Sequence, residues 1–362
     1  MLDDDGQAGH ASGAATRAAA PAQPGLLSAI AHRLAGDVTT LPDEGGLPSF
    51  DGATGWLNSP PLTPAGLRGR VVLVDFWTYT CINWLRTLPY LRAWAAKYAD
   101  QGLTIVGAHT PEFGFEHDHD NVVTQARALR VTYPIAIDTD FGVWRAFANH
   151  YWPAIYLADA GGRIRYHHFG EGEYAMTEMA IQQLLEEAGA TDVDPGLVSV
   201  EPRGLEVAAD FRSLRSPETY LGHGHATGFA SPDGLWPDES HAYSAPTDLT
   251  LNHWAPIGTW TITDRAAVLA GSGGRISFRF QARDVNLVMG PARRGSTIRF
   301  RVSLDGRPAF ETHGSDVNAE GTGAVTEQRT YQLIRQPARV GESTFEIEFL
   351  DPGVEAYCFT FG

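Results

Sequence analysis

Residues 74–84 read Val74-Asp75-Phe76-Trp77-Thr78-Tyr79-Thr80-Cys81-Ile82-Asn83-Trp84. The run from Val71 to Trp77 is apolar apart from one acid and has the length of a buried strand. Beyond it, Trp84, Leu88, Leu91, Ala95 and Tyr98 recur at helical spacing, so one apolar face of a helix lies against a sheet. Leu103 to His109 is a second strand, which makes a βαβ unit. Cys81 falls between strand and helix. A thiol at a helix N-terminus meets the positive end of the helix dipole and unpaired amides, both of which favour the thiolate. The position therefore predicts a nucleophilic cysteine. Pro89 lies inside the helical pattern, where it kinks a helix. Far downstream, Tyr151-Trp152-Pro153-Ala154 places an X-Pro pair directly before a strand, a position suited to a cis bond.

Together these residues resemble thioredoxin, whose fold sets a buried Asp before the nucleophilic cysteine, a kinking Pro after it and a cis-Pro facing the sulfur. Asp75, Pro89 and Pro153 match those three places. The wider wording, with Phe76 to Asn83, Thr110-Pro111-Glu112-Phe113 and Phe169-Gly170-Glu171-Gly172, is similar to the thioredoxin-like part of DipZ-type redox proteins, from about Leu47 to Gly362. The resemblance implies an α/β thioredoxin-like domain followed by an all-β sandwich like a carbohydrate-binding module. It also implies thiol chemistry on protein or low-molecular-weight thiols and disulfides. In that reading Cys81 is the nucleophile, Asp75 a buried proton acceptor or electrostatic tuner, and Trp152-Pro153 the loop that pairs with substrate.

One departure governs the mechanism. The family pattern is Cys-Ile-Asn-Cys, whereas this chain has Trp84 in place of the resolving cysteine. A dithiol enzyme releases its substrate when the second thiolate attacks the mixed disulfide. Cys81 alone waits for an outside thiol, so a monothiol oxidoreductase is expected, with Trp84, Trp152, Thr78 and Thr80 as substrate-facing residues. Packing of a decayed redox site is the other reading of Trp84. Cys358, in Tyr357-Cys358-Phe359-Thr360-Phe361, reads as a structural strand residue, with aromatics on one face and Cys and Thr on the other; its other reading, a distant resolving thiol for Cys81, requires the two domains to dock with a specific face. A peroxidatic alternative draws on Pro-x-x-x-Thr-x-x-Cys. Thr78 fits it, Val74 stands where Pro belongs, and Arg145 or Arg86 would be the cation, with the sulfenic acid reduced by an external thiol. A non-catalytic binding protein is the third class.

Outward from the redox segment the chain divides. Helical patterns near 118–130, 141–149 and 174–188 alternate with strands at 135–138, 154–158 and 163–169, as in an α/β sandwich. After Thr191 to Gly196 the period becomes two: Ile298, Phe300, Val302 and Leu304 alternate with polar residues, as do Phe345, Ile347 and Phe349. Asp305-Gly306 signals a hairpin. The expected division is a disordered leader at 1–25, a thioredoxin-like domain at 26–192 and a jelly-roll β-sandwich at 193–362.

The composition excludes other classes. With 362 residues, 43 acids against 27 basic residues and a net charge of −16, the chain lacks the basic footprint of nucleic-acid binders, and anionic membranes are equally unfavourable. Two cysteines build neither a disulfide scaffold nor a cysteine-rich metal site. The N-terminus, Met1-Leu2-Asp3-Asp4-Asp5, lacks the basic-then-apolar order of an export signal, and no run reaches membrane-spanning length, so a cytoplasmic location is expected. Glu112, Glu116, His117, Asp118, His119 and Asp120 fit no closed zinc spacing and read as a helix cap. His223-Gly224-His225 lacks the Glu of a cupin site. No cofactor or metal is expected. Tyr220, Trp236, Tyr243, Trp254 and Trp260 are the candidates for a sugar-stacking platform.

Overall fold

The computed structural model describes residues 40–337 and 340–362, so the leader expected at 1–25 lies outside the described residues. The first half contains strands β1 (Gly55–Leu57), β2 (Val71–Trp77), β3 (Leu103–His109), β4 (Ile135–Ile137), β5 (Ala154–Ala158) and β6 (Ile164–Phe169). Its helices are α1 (Ile82–Tyr98), α2 (His119–Ala128), α3 (Gly142–Ala146) and α4 (Tyr174–Glu187). The sheet order is β1-β4-β3-β2-β5-β6, with β2 parallel to β3 and antiparallel to β5. Every residue of β2 is buried, which explains its near-continuous apolar sequence: a central strand is covered on both faces.

Alternation along β2 decides what each side chain meets. Val72, Val74 and Phe76 pack with Phe50, Val143 and Phe147 on one side of the sheet. Val71, Leu73 and Trp77 pack on the other with Trp84, Leu88 and Leu91 of α1 and Ile181 and Leu184 of α4. Asp75 shares the second face and is carried under α1.

The second half is an all-antiparallel β domain of two sheets joined through the long strand His253–Ile262. Its first part pairs with Gly274–Phe280, and from Gly258 onward it pairs with Ser240–Tyr243 and Ala267–Leu269. The strand changes sheets at Gly258, where φ is +99° and the backbone of Gly274 approaches closely. One sheet continues from Gly274–Phe280 through Ser343–Phe349 to Ile298–Leu304. The other continues from Ala267–Leu269 through Val354–Phe361 and Asp284–Pro291 to Arg329–Arg335. Asp305 and Gly306, at φ 49° and 73°, form the expected tight turn between Ile298–Leu304 and Arg307–Pro308. Phe278, Phe345, Phe359 and Trp260 fill the space between the sheets.

Between Glu187 and Thr219 the chain holds one described 3-10 turn, Gly204–Glu206. The core is nonetheless continuous across the two halves. Trp77, Trp84, Phe113 and Phe115 belong to one apolar cluster with Ala266, Val288, Tyr357 and Cys358. Phe115 and Tyr357 meet edge to face at 4.9 Å, and polar ties frame the contact: Arg86 to the Phe361 carbonyl (3.0 Å), Gln125 to Glu327 (3.0 Å) and Asn121 to Gln328 (3.2 Å). No described helix is long and apolar enough to cross a membrane.

Candidate redox site

Cys81 is the residue that caps α1, with an extended backbone (φ −67°, ψ 110°), and its N–H donates to the Thr78 carbonyl at 3.3 Å. The Thr78 to Cys81 turn thus lifts the thiol off the end of β2 and onto the first turn of the helix. The side chain is half-buried. The backbone amides of Trp84 and Asn83 pull the thiol pKa down, as the helix position predicts. Burial, with Glu112 next in weight, outweighs them and pushes it well up. The helix terminus thus favours the thiolate as the sequence position implies, while burial of the same sulfur opposes it.

Asp75 is fully buried and its carboxyl is raised by burial to about 7, against the opposing hydrogen bond from Trp84. Trp84 Nε1 donates to Asp75 Oδ2 at 2.8 Å, and the Trp84 ring stacks on Trp77 at 4.3 Å. The indole in the resolving position is a core side chain with 0% exposure. It offers no exposed face to substrate, which corrects the substrate-facing role expected of it. Thr78 and Thr80 are likewise inside. Thr80 donates to Glu116 Oε1 at 2.6 Å, and Glu116 Oε2 accepts from the Glu112 and Phe113 amides at 2.7 and 2.9 Å, so this carboxylate braces the loop after β3.

Pro153 sits at the same end of the sheet as Cys81, because Ala154 of β5 pairs with Phe76 of β2, and the Trp152–Pro153 peptide is cis. The Pro153 carbonyl accepts from Gly170 N–H at 2.9 Å, so that atom is committed to the sheet rather than to a substrate strand. Trp152 is half-buried and packs on Trp144 with ring centroids 4.2 Å apart. Arg86, one cation of the peroxidatic alternative, is 3% exposed and held by Glu171 at 2.8 Å and the Phe361 carbonyl; Arg145 is exposed on α3. Arg86 serves the junction rather than an oxyanion. The acid and imidazole cluster splits: Asp118 caps α2 by accepting from the Asp120 and Asn121 amides, as a cap reading predicts, while Glu116 turns inward.

His109 and Glu218 are buried or desolvated groups of this region that the sequence does not single out. His109, at the end of β3, lies parallel to Tyr79 and edge-on to Trp77, and burial pushes its imidazole down to about 3, so it is neutral. From the second half, Tyr220 donates to Glu112 Oε1 and stands 3.5 Å from Glu218 Oε2. Burial and the mutual repulsion of the two acids raise the Glu112 carboxyl, and desolvation raises Glu218 although the residue as a whole is exposed. Tyr220, one of the candidates for the sugar platform, thus has its hydroxyl turned to Glu112. Of the others, Trp254, Trp260 and Tyr243 are buried in the sandwich, and Trp236 stands exposed against His241.

Residues 216–362 match the family described as "Thioredoxin like C-terminal domain". Protein DipZ of Mycobacterium bovis is 34% identical over 323 residues, which is 88% of this chain and 43% of DipZ; that of Mycobacterium tuberculosis gives the same figures. The chain is a thioredoxin-like protein related to DipZ. It spans less than half the length of those relatives. Thiol-disulfide oxidoreductase YkuV of Bacillus subtilis is 28% identical across 141 residues, 39% of this chain and 95% of YkuV. The solution structure of a thioredoxin-like protein in the oxidized form is 29% identical, covers 40% of this chain and 96% of its own, and superposes with a TM-score of 0.37. Within this DipZ-related chain the Asp75–Trp84 pair is where the redox helix departs from a dithiol pattern.

Proposed function

We propose that the chain performs thiol–disulfide exchange with Cys81 as nucleophile, on protein or low-molecular-weight disulfides. The observation that carries this reading is the seat of Cys81: the capping residue of α1, with two helix amides favouring its ionised form, above a buried Asp75 and at the sheet end shared with Pro153. Thioredoxin-like relatives named as thiol-disulfide oxidoreductases support the same class.

The thiolate of Cys81 attacks a substrate disulfide, one sulfur leaves as a thiol, and a mixed disulfide remains. Helix α1 supplies no second thiol, so the monothiol reading requires the resolving thiol to come from outside that helix. Asp75 acts through Trp84, as a positioning residue that fixes the first turn. Pro153 shapes the turn facing the end of β2.

The test compares wild type with Cys81→Ser for reaction with an aromatic disulfide and for dithiothreitol-driven insulin reduction, from pH 6 to 9. Wild type gains rate steeply with pH, because burial holds the thiol protonated, and Cys81→Ser shows the uncatalysed rate. Equal rates for the two proteins would remove the reading in favour of a binding role.

A further inference from the structure

Three adjacent strand pairings place a row of residues across the outer face of the second half. Thr330 lies opposite Val288, Val288 opposite Cys358, and Cys358 opposite Tyr220. Directly paired residues on neighbouring strands share a face of the sheet. Both ends of this row touch the first half: Thr330 Oγ1 donates to the Thr80 carbonyl at 2.7 Å, and Tyr220 donates to Glu112 in the loop after β3. The face is thereby fixed, and Cys358 between them is turned toward the first half, into the apolar cluster against which Cys81 packs. The alternation agrees, since Phe359 and Phe361 enter the sandwich core while Cys358 and Val288 join the cluster that contains Trp77 and Trp84, against which Cys81 packs. A register shift between Val288 and Met289 leaves Tyr357 on that side too, where it seals the junction against Phe113 and Phe115.

We propose that Cys358 is the second thiol of this redox site, and that Cys81 and Cys358 form an intramolecular disulfide across the junction of the two halves. The proposal rests on Cys81 being the exchange nucleophile, and it replaces the outside thiol of that reading by one from the C-terminal strand. The chemistry balances as follows. Cys81 attacks a substrate disulfide, and the first substrate sulfur leaves and takes up a proton. Cys358 passes its proton to Glu218 and attacks the Cys81 sulfur. The bond between Cys81 and the substrate breaks, and the second substrate sulfur leaves with a proton. The substrate has gained two electrons and two protons, and the protein holds one disulfide, which an external dithiol reduces.

The surroundings suit this relay. Glu218 and Glu112 both act electrostatically on the Cys358 thiol, Tyr220 links Glu112 to Glu218, and Glu112 acts on Cys81 as well. A charge on Cys81 is felt at Cys358, which raises the Cys358 thiol after burial, Glu218 and Glu112 have done so. Cys358 also donates to the Phe359 carbonyl at 3.4 Å, a hydrogen bond that holds the reduced thiol in its strand. With 0% exposure, it is out of reach of bulk oxidants and reacts only through Cys81.

The experiment treats the full-length protein with oxidised glutathione, quenches in denaturant with an alkylating agent, and maps the peptides without reduction. The expected result is a Cys81–Cys358 linked peptide with both cysteines missing from the alkylated pool. In Cys358→Ser, and in Cys358→Val as a folded apolar control, a glutathione adduct remains on Cys81, and its release slows by at least about a hundredfold, the scale expected when an intramolecular thiol is lost. A lasting Cys81–glutathione adduct in wild type, with Cys358 alkylated after unfolding, overturns the second-thiol proposal and leaves exchange at Cys81 standing. No adduct and no link at Cys81 overturns both.

Discussion

Cys81 has two unlike flanks. Toward the sheet it stands above Asp75 and Trp84, a single acid closed by one indole hydrogen bond and an aromatic stack. Toward the second half it faces Glu112, Glu218, Tyr220 and Cys358, groups whose protons are shared among several donors and acceptors. The first flank is settled: the Trp84 indole fills the space beneath the helix and occupies the acid. The second keeps ionisable groups in contact with one another at a junction. A second thiol, which a dithiol helix would carry within its own first turn, stands in this chain on the far side of the junction, at Cys358.

The sheet-side flank carries the larger structural load. Trp84→Ala empties a fully buried site and leaves the Asp75 carboxyl without its donor. A cavity from an aromatic-to-Ala change costs about 3–5 kcal/mol, and the orphaned polar group roughly 1–3 more. Trp84→Phe keeps an aromatic ring while removing the donor and part of the indole's volume, so its loss of stability on denaturant unfolding should fall between that of wild type and that of Trp84→Ala. If Trp84→Ala were nearly neutral while Thr330→Val unfolded the protein, the division between a structural flank and a chemical flank would be inverted.

Asp75 also sets a pH dependence. Its folded pKa lies near 7, above the ordinary 3.8, so the folded state binds the proton more tightly than the unfolded state. Its contribution is complete below about pH 4 and disappears as pH rises through 7, amounting to on the order of 4 kcal/mol. Asp75→Asn should flatten that part of the stability profile, read as the difference between the two proteins from pH 4 to pH 8. His109 works in the opposite direction: burial lowers its pKa to about 3, so its contribution is present above pH 6.5 and is lost as pH falls. The difference profile removes it. A parallel pair of profiles would mean that Asp75 is not held as a neutral acid.

Much of the first flank could be read from the chain. The period change at Trp84, the acid within an apolar strand and the Trp152-Pro153 pair each have a local physical cause, and the structure returns β2, α1 and a cis bond at those positions. The partner of Asp75 was not legible, because it depends on which way one indole turns within a packed layer. Cys358 and Thr360 could be assigned to the face opposite Phe359 and Phe361, yet periodicity does not say that this face is covered by another part of the chain. The change in period after α4 suggested two independent cores, whereas the apolar cluster runs from Trp77 to Cys358. Long-range docking of this kind leaves no periodic trace, since Thr80 and Thr330 are 250 positions apart.

The smallest effect tests the junction itself. Thr330→Val keeps side-chain shape and removes the hydroxyl that donates to the Thr80 carbonyl at 2.7 Å. Loss of one buried hydrogen bond, with the carbonyl left unpaired, costs about 1–3 kcal/mol. The stability change should therefore be modest, because Tyr357, Phe113 and Phe115 still hold the two halves together. Reactivity should respond more than stability. The hydroxyl anchors the residue immediately before Cys81, and freeing it admits water to a thiol whose pKa burial holds up, so alkylation of Cys81 at pH 7.5 should accelerate. Alkylation of Cys358, which lies on a strand paired on both sides, should not. Equal acceleration at both cysteines would mean that the sheet, and not the turn, is what gives way, and the contrast between the two flanks would then rest on the Asp75–Trp84 pair alone.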